Sequence, residues 1–232
     1  MTPTLETPVG QIVTAHPLLA KVFETHGIDY CCGGKLSVQA VCARKGLDAQ
    51  ALLDEIQAAM DQAVPPELDW ADTPLDTLVE HLVETHHAYL HEAMPRLAAL
   101  SLKVANVHGD RHPELVELNQ VYQAFHAEMA EHLVKEEQIL FPALIRLAHG
   151  DAGFPVQHPI RAMEAEHDGA GHDLERMREL SGGFTAPDDA CNSYRALFAG
   201  LAELESDTFT HIHKENNILF PRALARLEAL KA

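Results

Sequence analysis

A chain of 232 residues, 47% of them apolar, is long enough to bury one sizeable core together with a small accessory domain. Its formal net charge of -18 argues against binding to nucleic acid or to an anionic membrane surface, because both carry negative charge themselves. The N-terminus has no basic segment followed by an apolar one, and no apolar stretch is long enough to cross a membrane. Four cysteines are too few for a disulfide scaffold and fit a reducing compartment, so we expect a cytoplasmic protein.

Glycine and proline residues divide the chain into three predicted parts. Residues 1–60 contain short helical stretches and are predicted to form a small helical N-terminal domain. The stretch 61–73, which includes Pro65 and Pro66, is predicted to be a linker. Residues 74–232 carry apolar residues at helical spacing and no pattern of strands. The predicted fold class is therefore all-α, with a four-helix bundle after the small domain.

The N-terminal domain contains two adjacent cysteines, Cys31 and Cys32, followed by two glycines. The next helix is predicted to begin near Leu36 or Ser37, and a thiol near a helix N-terminus can have a lowered pKa and act as a nucleophile or metal ligand. In the alternative interpretation, one cysteine simply packs under a tight glycine turn, since adjacent cysteines rarely both become buried. The residues themselves leave both interpretations open.

Four long helices are predicted over residues 74–102, 113–147, 158–180 and 188–230, with glycine- or proline-containing loops between them. Apolar residues in the second helix step by three and four positions and form a seam that faces the centre of a bundle. One histidine and one glutamate belong to this seam, whose members are Leu118, Tyr122, Phe125, Met129, His132, Glu136, Ile139 and Ala143. We therefore expect this histidine and this glutamate to point inward.

The second and fourth helices share a repeated motif in which a histidine precedes a glutamate by four residues. The two copies are His132 with Glu136 and His211 with Glu215, and each continues into the same Ile-Leu-Phe-Pro sequence. A spacing of four places both side chains on one helix face, roughly 6 Å apart at Cβ. Among the 16 histidines, only these two have a glutamate at that position, so each copy is predicted to bind a metal ion through two ligands.

A further histidine precedes each motif on a separate helix: His87 lies 45 residues before His132, and His167 lies 44 residues before His211. Each half thus contributes one helix with a histidine and one helix with a histidine and a glutamate. Two such halves related by a pseudo-twofold axis predict four imidazoles and two carboxylates inside the bundle. Because His86 and His87 are adjacent, only one of them is expected to point inward. His86 fits the apolar seam of its helix about as well as His87, and only the repeat spacing favours His87.

The number and type of these ligands predict the ions. A buried carboxylate costs several kcal/mol unless a cation neutralises it, and no Lys or Arg lies on the seams. A metal ion is the expected cation.

Six ligands suit two transition ions with two histidines each, bridged by Glu136 and Glu215 at the roughly 3.5–4 Å separation of two-metal sites. Iron is the first expectation and manganese the second. An oxo or hydroxo bridge leaves one position per iron for dioxygen or nitric oxide. The alternative is a metal-free bundle in which buried His and Glu pair by hydrogen bonds.

Two further glutamates are candidates for supporting roles at this site. Glu128 and Glu166 each precede a ligand histidine on the same helix, where a carboxylate can orient an imidazole or pass protons. A surface ion pair is the competing interpretation for Glu128. Nine other histidines have no comparable argument, and most of them are predicted to be solvated at the surface: His81, His91, His108, His112, His126, His149, His158, His172 and His213.

Several of these features together resemble the iron-sulfur cluster repair di-iron proteins, a hemerythrin-like group that includes the nitric-oxide-responsive NorA and DnrN proteins. The resemblance extends over nearly the whole chain. It rests on Asp-Tyr-Cys-Cys-Gly-Gly-Lys at 29–35, on Trp70, on Glu-His-Asp at 166–168 and on both copies of Lys-Glu-x-x-Ile-Leu-Phe-Pro. This combination of motifs is highly specific.

The resemblance implies a hemerythrin-like fold and a non-haem di-iron centre with six ligands: His87, His132, His167, His211, Glu136 and Glu215. It implies a cytoplasmic protein that helps restore iron-sulfur clusters damaged by nitrosative or oxidative stress, and frequent formation of homodimers. It also makes Cys31 and Cys32 candidates for thiol redox chemistry or iron handling.

Three functional hypotheses follow. In the first, the centre delivers labile iron to damaged iron-sulfur proteins. In the second, it is a nitric oxide sink or a nitric oxide reductase that draws electrons from a donor the sequence does not identify. In the third, it is a dioxygen carrier or sensor of the hemerythrin type, although the additional cysteine-containing domain argues against a plain carrier. A histidine-rich site favours reversible ligand binding, reduction or iron release over hydrocarbon oxidation.

Overall fold

The computed structural model describes residues 2–62 and 70–231 of the chain. Over these residues it contains helices and turns but no strand, which confirms the all-α fold class. Most of the predicted linker 61–73, including Pro65 and Pro66, lies outside the described residues. No helix in the described ranges is both long and apolar enough to cross a membrane.

Short helices form the N-terminal part of the chain. They are α1 (Val9–Ala15), a 3₁₀ turn (Pro17–Leu19), α2 (Ala20–Thr25), α3 (Val38–Lys45) and α4 (Ala49–Gln62). Helix α3 has well-defined ends, because the Ser37 hydroxyl accepts a hydrogen bond from the Ala40 amide at its start. At its end Gly46 adopts φ +68°, the left-handed conformation that glycine adopts without strain.

The helices of residues 75–231 lie within or close to the four predicted helical ranges. They are α5 (Leu75–His81), α6 (Ala88–His108), α7 (Glu114–Lys135), α8 (Phe141–Ala148), α9 (Gln157–Leu180), α10 (Asn192–Lys214) and α11 (Phe220–Lys231). The first predicted helix ended six residues too early, because buried Val104 and Ala105 continue its apolar face as far as His108. The last began four residues too early, because the residues after Pro187 form a turn.

Three π-helical turns join these helices: π1 (Leu82–His87), π2 (Glu136–Leu140) and π3 (Glu215–Leu219). In π2 the Phe141 amide donates to the carbonyl of Glu136, five residues back, and Phe220 does the same to Glu215 in π3. A proline follows each of these phenylalanines and lacks the amide that a regular α-helical turn requires. The repeated Phe-Pro sequence thus accompanies a widened turn that begins at each glutamate of the repeat.

The chain forms two compact units. Unit 1 consists of Met1–Val79, Leu144–Phe154 and Phe209–Ala232, and unit 2 consists of Glu80–Ala143 and Pro155–Thr208. The predicted division into an N-terminal domain, a linker and a bundle domain stays a prediction.

Unit 2 has a helical core. Helix α7 packs against both α6 and α9. Buried side chains of this core come from α6, α7, α9 and α10 and include Leu97, Leu118, Tyr122, Phe125, Leu174 and Leu201. Arg178 of α9 forms an ion pair with the buried carboxylate of Glu205 in α10, and the Tyr122 hydroxyl donates to the Met94 carbonyl. These polar contacts fix the register of neighbouring helices.

Unit 1 joins the N-terminal helices to the end of the chain. Helix α1 packs against π3, and α4 contacts both α2 and α3. Tyr30 is fully buried, with its ring at 6.0 Å from that of Phe209. The Asn217 side-chain amide donates to the Cys31 carbonyl, and Arg222 donates to the carbonyl of Trp70. The segment that carries the two cysteines is therefore held directly against π3.

Two glycines inside helices of unit 2 provide a matched test of its packing. Gly200 lies against Leu97, and a Cβ at position 200 would come within 2.6 Å of Cδ2 of this buried side chain. A Cβ at Gly169 would have no atom within 4 Å. We predict that Gly169→Ala raises the free energy of unfolding by about 0.5–1 kcal/mol through helix propensity. Gly200→Ala should instead lower it by about 1–2 kcal/mol through overpacking.

Urea denaturation followed by circular dichroism measures both changes. Equal stabilisation by the two substitutions would contradict the close approach of α10 to α6.

Candidate metal centre

Unit 2 contains four of the six candidate ligands, and each lies on a different helical segment. His87 is the last residue of π1, His132 lies in the last turn of α7, Glu136 begins π2, and His167 lies in the middle of α9. All four side chains are buried, and that of Glu136 is 0% exposed. Their local setting thus agrees with the prediction that these polar side chains face inward.

The imidazoles of the three candidate histidine ligands in unit 2 converge on the Glu136 carboxylate. His87 Nε2 and His132 Nε2 lie 3.4 Å and 3.3 Å from Oε2 of Glu136, and His167 Nε2 lies 4.0 Å from Oε1. The Nε2 atoms of His132 and His167 are 3.0 Å apart. Single ligand atoms of His132, Glu136 and His167 all lie within 4.8 Å of one another. The arrangement is therefore a buried group of nitrogen and oxygen ligands that could hold a metal ion.

Outer carboxylates fix the orientation of two of these imidazoles. Glu137 Oε1 lies 2.9 Å from His87 Nδ1, and Glu166 Oε2 lies 2.9 Å from His132 Nδ1. A carboxylate accepts hydrogen bonds, so each Nδ1 carries a hydrogen, and in the neutral imidazole Nε2 keeps its lone pair on the side of Glu136. Such outer partners set the tautomer of metal-binding histidines.

The charges around Glu137 and Glu166 keep both carboxylates ionised. Partial burial raises the pKa of Glu166, but hydrogen bonds from Lys135 and His132 outweigh this effect, so the pKa lies below its ordinary value. Partial burial of Glu137 is outweighed in the same way by His91 and His87, and its pKa is also lowered. Ionised carboxylates at these two places stabilise the Nδ1-protonated tautomers.

A cavity of about 230 Å³ reaches the site within unit 2. Apolar and acidic side chains make up most of its lining, which consists of Phe125, Glu128, Met129, Glu131, His132, Lys135, Glu166, Ala170 and Asp173. Glu128 is exposed and lines the cavity, whereas Glu166 both lines it and contacts His132. Of the two predicted supporting glutamates, Glu166 thus contacts a candidate ligand, whereas Glu128 lines the cavity from an exposed position.

The doublet His86-His87 differs from the sequence expectation in one respect. We expected only one of the two to point inward, but both are buried. His87 faces Glu136, while His86 Nδ1 lies 2.8 Å from Asp207 Oδ1 of α10. The sequence expectation was wrong because it considered the seam of one helix and not the carboxylate that a neighbouring helix supplies.

Unit 1 contains the second copy of the motif. His211 and Glu215 are both fully buried, and His211 Nε2 lies 3.1 Å from Glu215 Oε1. The four-residue spacing therefore brings these two side chains together, as predicted for a helix. Helix α10 supplies the histidine, and the glutamate is the first residue of π3.

His213, which was predicted at the surface, is buried. Its Nδ1 lies 3.4 Å from the Tyr30 carbonyl oxygen and its Nε2 lies 3.3 Å from the Thr14 hydroxyl. Burial lowers the pKa of His213 to about 4, against a smaller opposing effect of the hydrogen bond to Tyr30. The prediction was wrong because the N-terminal segment covers this face of the helix, and helix periodicity carries no signal of that contact.

The two adjacent cysteines have different environments. Cys31 is buried and Cys32 is half-buried, with their sulfur atoms 3.7 Å apart. Cys31 Sγ lies 3.0 Å from Oδ1 of Asp29, which also accepts hydrogen bonds from the amides of both cysteines. Asp29, Cys31 and Cys32 thus each offer a ligand atom within 4.8 Å of the others.

The lowered pKa expected for a cysteine near a helix start does not apply to Cys31. Burial, then hydrogen bonding to Cys32 and the charge of Asp29, raise the pKa of the Cys31 thiol well above its ordinary value. Helix α3 begins only at Val38, so the helix start is several residues away from the thiol. The carboxylate beside the thiol also opposes formation of a thiolate.

Comparisons with known proteins place these residues in recognised domains. The family described as hemerythrin HHE cation binding domain matches residues 77–223, and a domain of unknown function (DUF542) matches residues 5–60. The chain is 37% identical over 218 residues to the iron-sulfur cluster repair protein YtfE of Escherichia coli O157:H7, covering 94% of this chain and 96% of the relative. Proteins of the same name from Shigella boydii serotype 4 and Citrobacter koseri are 36% identical over the same shares.

Glu137 and Asp207 are contacts that the sequence analysis missed. Glu137 follows a candidate ligand directly, but its partner His87 lies 50 residues earlier in the chain. Asp207 is 121 residues from His86. A run of two glutamates after Lys135 was the available signal for Glu137, whereas no local spacing in the sequence indicates Asp207.

Removal of an outer carboxylate should weaken metal binding in a measurable way. We predict that Glu166→Gln and Glu137→Gln each reduce the affinity for ferrous iron by about 10–100-fold, the range seen when outer partners of metal-binding histidines are lost. Glu131→Gln is the control, because Glu131 lines the same cavity from an exposed position.

Competition with a chelator of known affinity, under anaerobic conditions, measures these constants. Equal loss of affinity in all three variants would show that general negative charge, and not imidazole orientation, accounts for the effect.

Proposed function

Because this chain belongs to the family of the iron-sulfur cluster repair proteins, we propose that it helps restore iron-sulfur clusters damaged by nitrosative or oxidative stress. It would use iron held at its buried histidines and glutamates. The observation that carries the proposal is the convergence of three imidazoles on the fully buried Glu136. Burying a carboxylate in this way is costly unless positive charge neutralises it.

We propose two iron ions per chain, bridged by the two glutamates of the repeat and by an oxide or hydroxide. The ligand set is His87, His132, His167, His211, Glu136 and Glu215. Support comes from the buried group around Glu136 in unit 2 and from the buried His211–Glu215 pair in unit 1. That the six residues serve one centre rests on the repeat in the sequence and on the family. The sequence repeat and the family also support the proposed division into an N-terminal domain of residues 1–60 and a bundle domain of residues 74–232.

The residues of unit 2 fit an iron ion. Imidazole nitrogens and carboxylate oxygens are ligands that iron accepts, and the oriented Nε2 atoms of His87 and His132 present lone pairs. The Nε2 atoms of His132 and His167 are 3.0 Å apart, so both imidazoles could contribute a ligand to the same ion.

When bound, iron would supply redox chemistry and open positions for a small ligand. The protein's own residues provide the surroundings. Apolar Phe125 and Met129 line the cavity that reaches His132 and limit the water there, while Glu166 holds the imidazole through Nδ1. Lys135 neutralises Glu166 from the other side. Proton uptake by imidazole competes with metal binding, which gives a histidine-rich site a route to iron release.

The cavity also supports a second candidate function, binding of nitric oxide. Its volume of about 230 Å³ suits a diatomic molecule, and it ends at a candidate ligand, His132. The site would then act as a nitric oxide sink, or as a nitric oxide reductase if a redox partner supplies electrons. Dioxygen would reach the site through the same cavity. The damaged iron-sulfur proteins as partners, the homodimer and the cytoplasmic location stay predictions.

Substitution of the ligands tests the proposed set. We predict that Glu136→Ala and Glu215→Ala each lose most of the bound iron, because each removes a bridging carboxylate. His87→Ala should lose iron as well, whereas His86→Ala should retain most of it, since the His86 imidazole pairs with Asp207. His172→Ala, at an exposed position of the same protein, is the control.

Iron per chain, measured by atomic emission after anaerobic loading and desalting, gives the answer. Similar losses in His172→Ala and in the glutamate variants would refute the assignment of ligands.

Repair itself is tested with an iron-sulfur dehydratase whose cluster has been damaged by nitric oxide. We predict that the iron-loaded protein restores the activity of this enzyme faster than an equal amount of free ferrous salt, because delivery from a protein site avoids oxidation of the ion. The Glu136→Ala variant should restore no more activity than the salt. A parallel measurement of nitrous oxide distinguishes a reductase, which releases it, from a sink, which holds nitric oxide. Repair no faster than that by free iron would contradict the proposal.

A further inference from the structure

A histidine–cysteine pair lies in unit 2 far from the candidate metal ligands. His108 is the last residue of α6, a helix of 21 residues that begins directly after His87. At a rise of about 1.5 Å per residue, the two histidines are about 30 Å apart along the helix. This pair therefore belongs to another part of the unit, and the proposed function makes no use of it.

The imidazole of His108 is buried, with 5% exposed, and has a cysteine as its hydrogen-bonding partner. His108 Nε2 lies 3.2 Å from Cys191 Sγ, while Nδ1 makes no hydrogen bond to any described residue. The ring packs against Tyr194 with centroids 5.5 Å apart. A buried imidazole is thus held in place by an aromatic ring and directed at a thiol.

Cys191 is exposed and stands immediately before a long helix. Its carbonyl accepts the first backbone hydrogen bond of α10, from the amide of Arg195, and α10 continues for 23 residues. The positive end of a helix dipole stabilises negative charge at this position. A thiolate at Cys191 would form on the solvent side of His108, where a reagent can reach it.

Two cationic side chains contact residues that are close to Cys191 in the sequence. Lys103 Nζ lies 3.3 Å from the hydroxyl of Ser193, two residues after Cys191. Arg195 donates to the carbonyls of Pro187 and Asp188 in the preceding turn. Reactive cysteines occur in exposed surroundings of this kind, close to a histidine, to positive charge and to a helix N-terminus. A structural cysteine requires none of these features.

We propose that Cys191 and His108 form a reactive thiol–imidazole pair that undergoes exchange with small-molecule disulfides. His108 Nε2 takes the thiol proton, the Cys191 sulfur attacks one sulfur of the disulfide, and the S–S bond breaks. The departing thiolate takes the proton back from His108. A mixed disulfide on Cys191 and one free thiol are the products, so the exchange needs no other oxidant or reductant.

The surroundings favour an external disulfide over other partners. Cys191 is the only cysteine in unit 2, all of whose residues are described, so this unit offers no second thiol for an internal bridge. A metal site is less well supported, because the nearest carboxylate in sequence, Asp189, is engaged by His112 and Arg111. The geometry therefore supports reversible formation of a mixed disulfide on Cys191.

Reaction with dithiodipyridine, a neutral disulfide that releases a chromophore, tests this inference on the full-length protein at neutral pH. Mass spectrometry of peptides follows each cysteine separately. We expect Cys191 of the folded protein to react on the order of tenfold faster than Cys191 of the chain unfolded in urea, because only in the folded protein does His108 Nε2 lie 3.2 Å from the sulfur and take its proton.

Two variants at the same end of the unit separate base assistance from exposure. His108→Gln should slow the reaction of Cys191 several-fold, while His112→Gln should leave it within a factor of about two, because His112 contacts Asp189 and Glu114 and not the thiol. Circular dichroism establishes that each variant is folded. Equal rates in the folded and unfolded wild-type chain, or an unchanged rate in folded His108→Gln, would overturn the proposal. If His108→Gln does not fold, the wild-type comparison alone decides.

Discussion

The fully buried carboxylate of Glu136 is the constraint on which the rest of the structure depends. Three imidazoles surround it in unit 2, and each comes from a different helical segment. Bringing a carboxylate out of water costs several kcal/mol, which only nearby positive charge and hydrogen bonds offset. The helices that carry these histidines must therefore pack in one register, and a bound cation would stabilise that register. Stability and metal binding are linked through this single side chain.

The widened turns place the glutamates for this role. Glu136 and Glu215 each begin a π-helical turn, and a Phe-Pro sequence ends each turn. In a regular α-helix a glutamate follows a histidine by about one turn on the same face, and the π turn redirects only the residues after it. The ligand pair thus keeps its helical geometry, while the apolar residues beyond it can still reach the core. The same solution in both copies agrees with an origin by duplication.

The sequence predicted most of the helices and the paired histidines and glutamates, because both rest on spacing within one helix. Spacing carries no information on contacts between distant segments, and the errors concern such contacts. His213 was expected at the surface but is covered by Thr14 and Tyr30, and His86 is buried through Asp207. The raised pKa of Cys31 likewise depends on burial, which the predicted helix start near Leu36 or Ser37 did not indicate. The π turns were also missed, although the prolines that follow two of them were visible.

Mössbauer spectroscopy of the full-length protein, loaded anaerobically with ferrous iron and then oxidised, tests the central claim most directly. The account predicts two irons per chain in nitrogen and oxygen ligation, magnetically coupled after oxidation because a carboxylate and an oxide or hydroxide bridge them. A single iron per chain, or uncoupled irons, would contradict the account, because Glu136 and Glu215 would then not bridge a pair of ions.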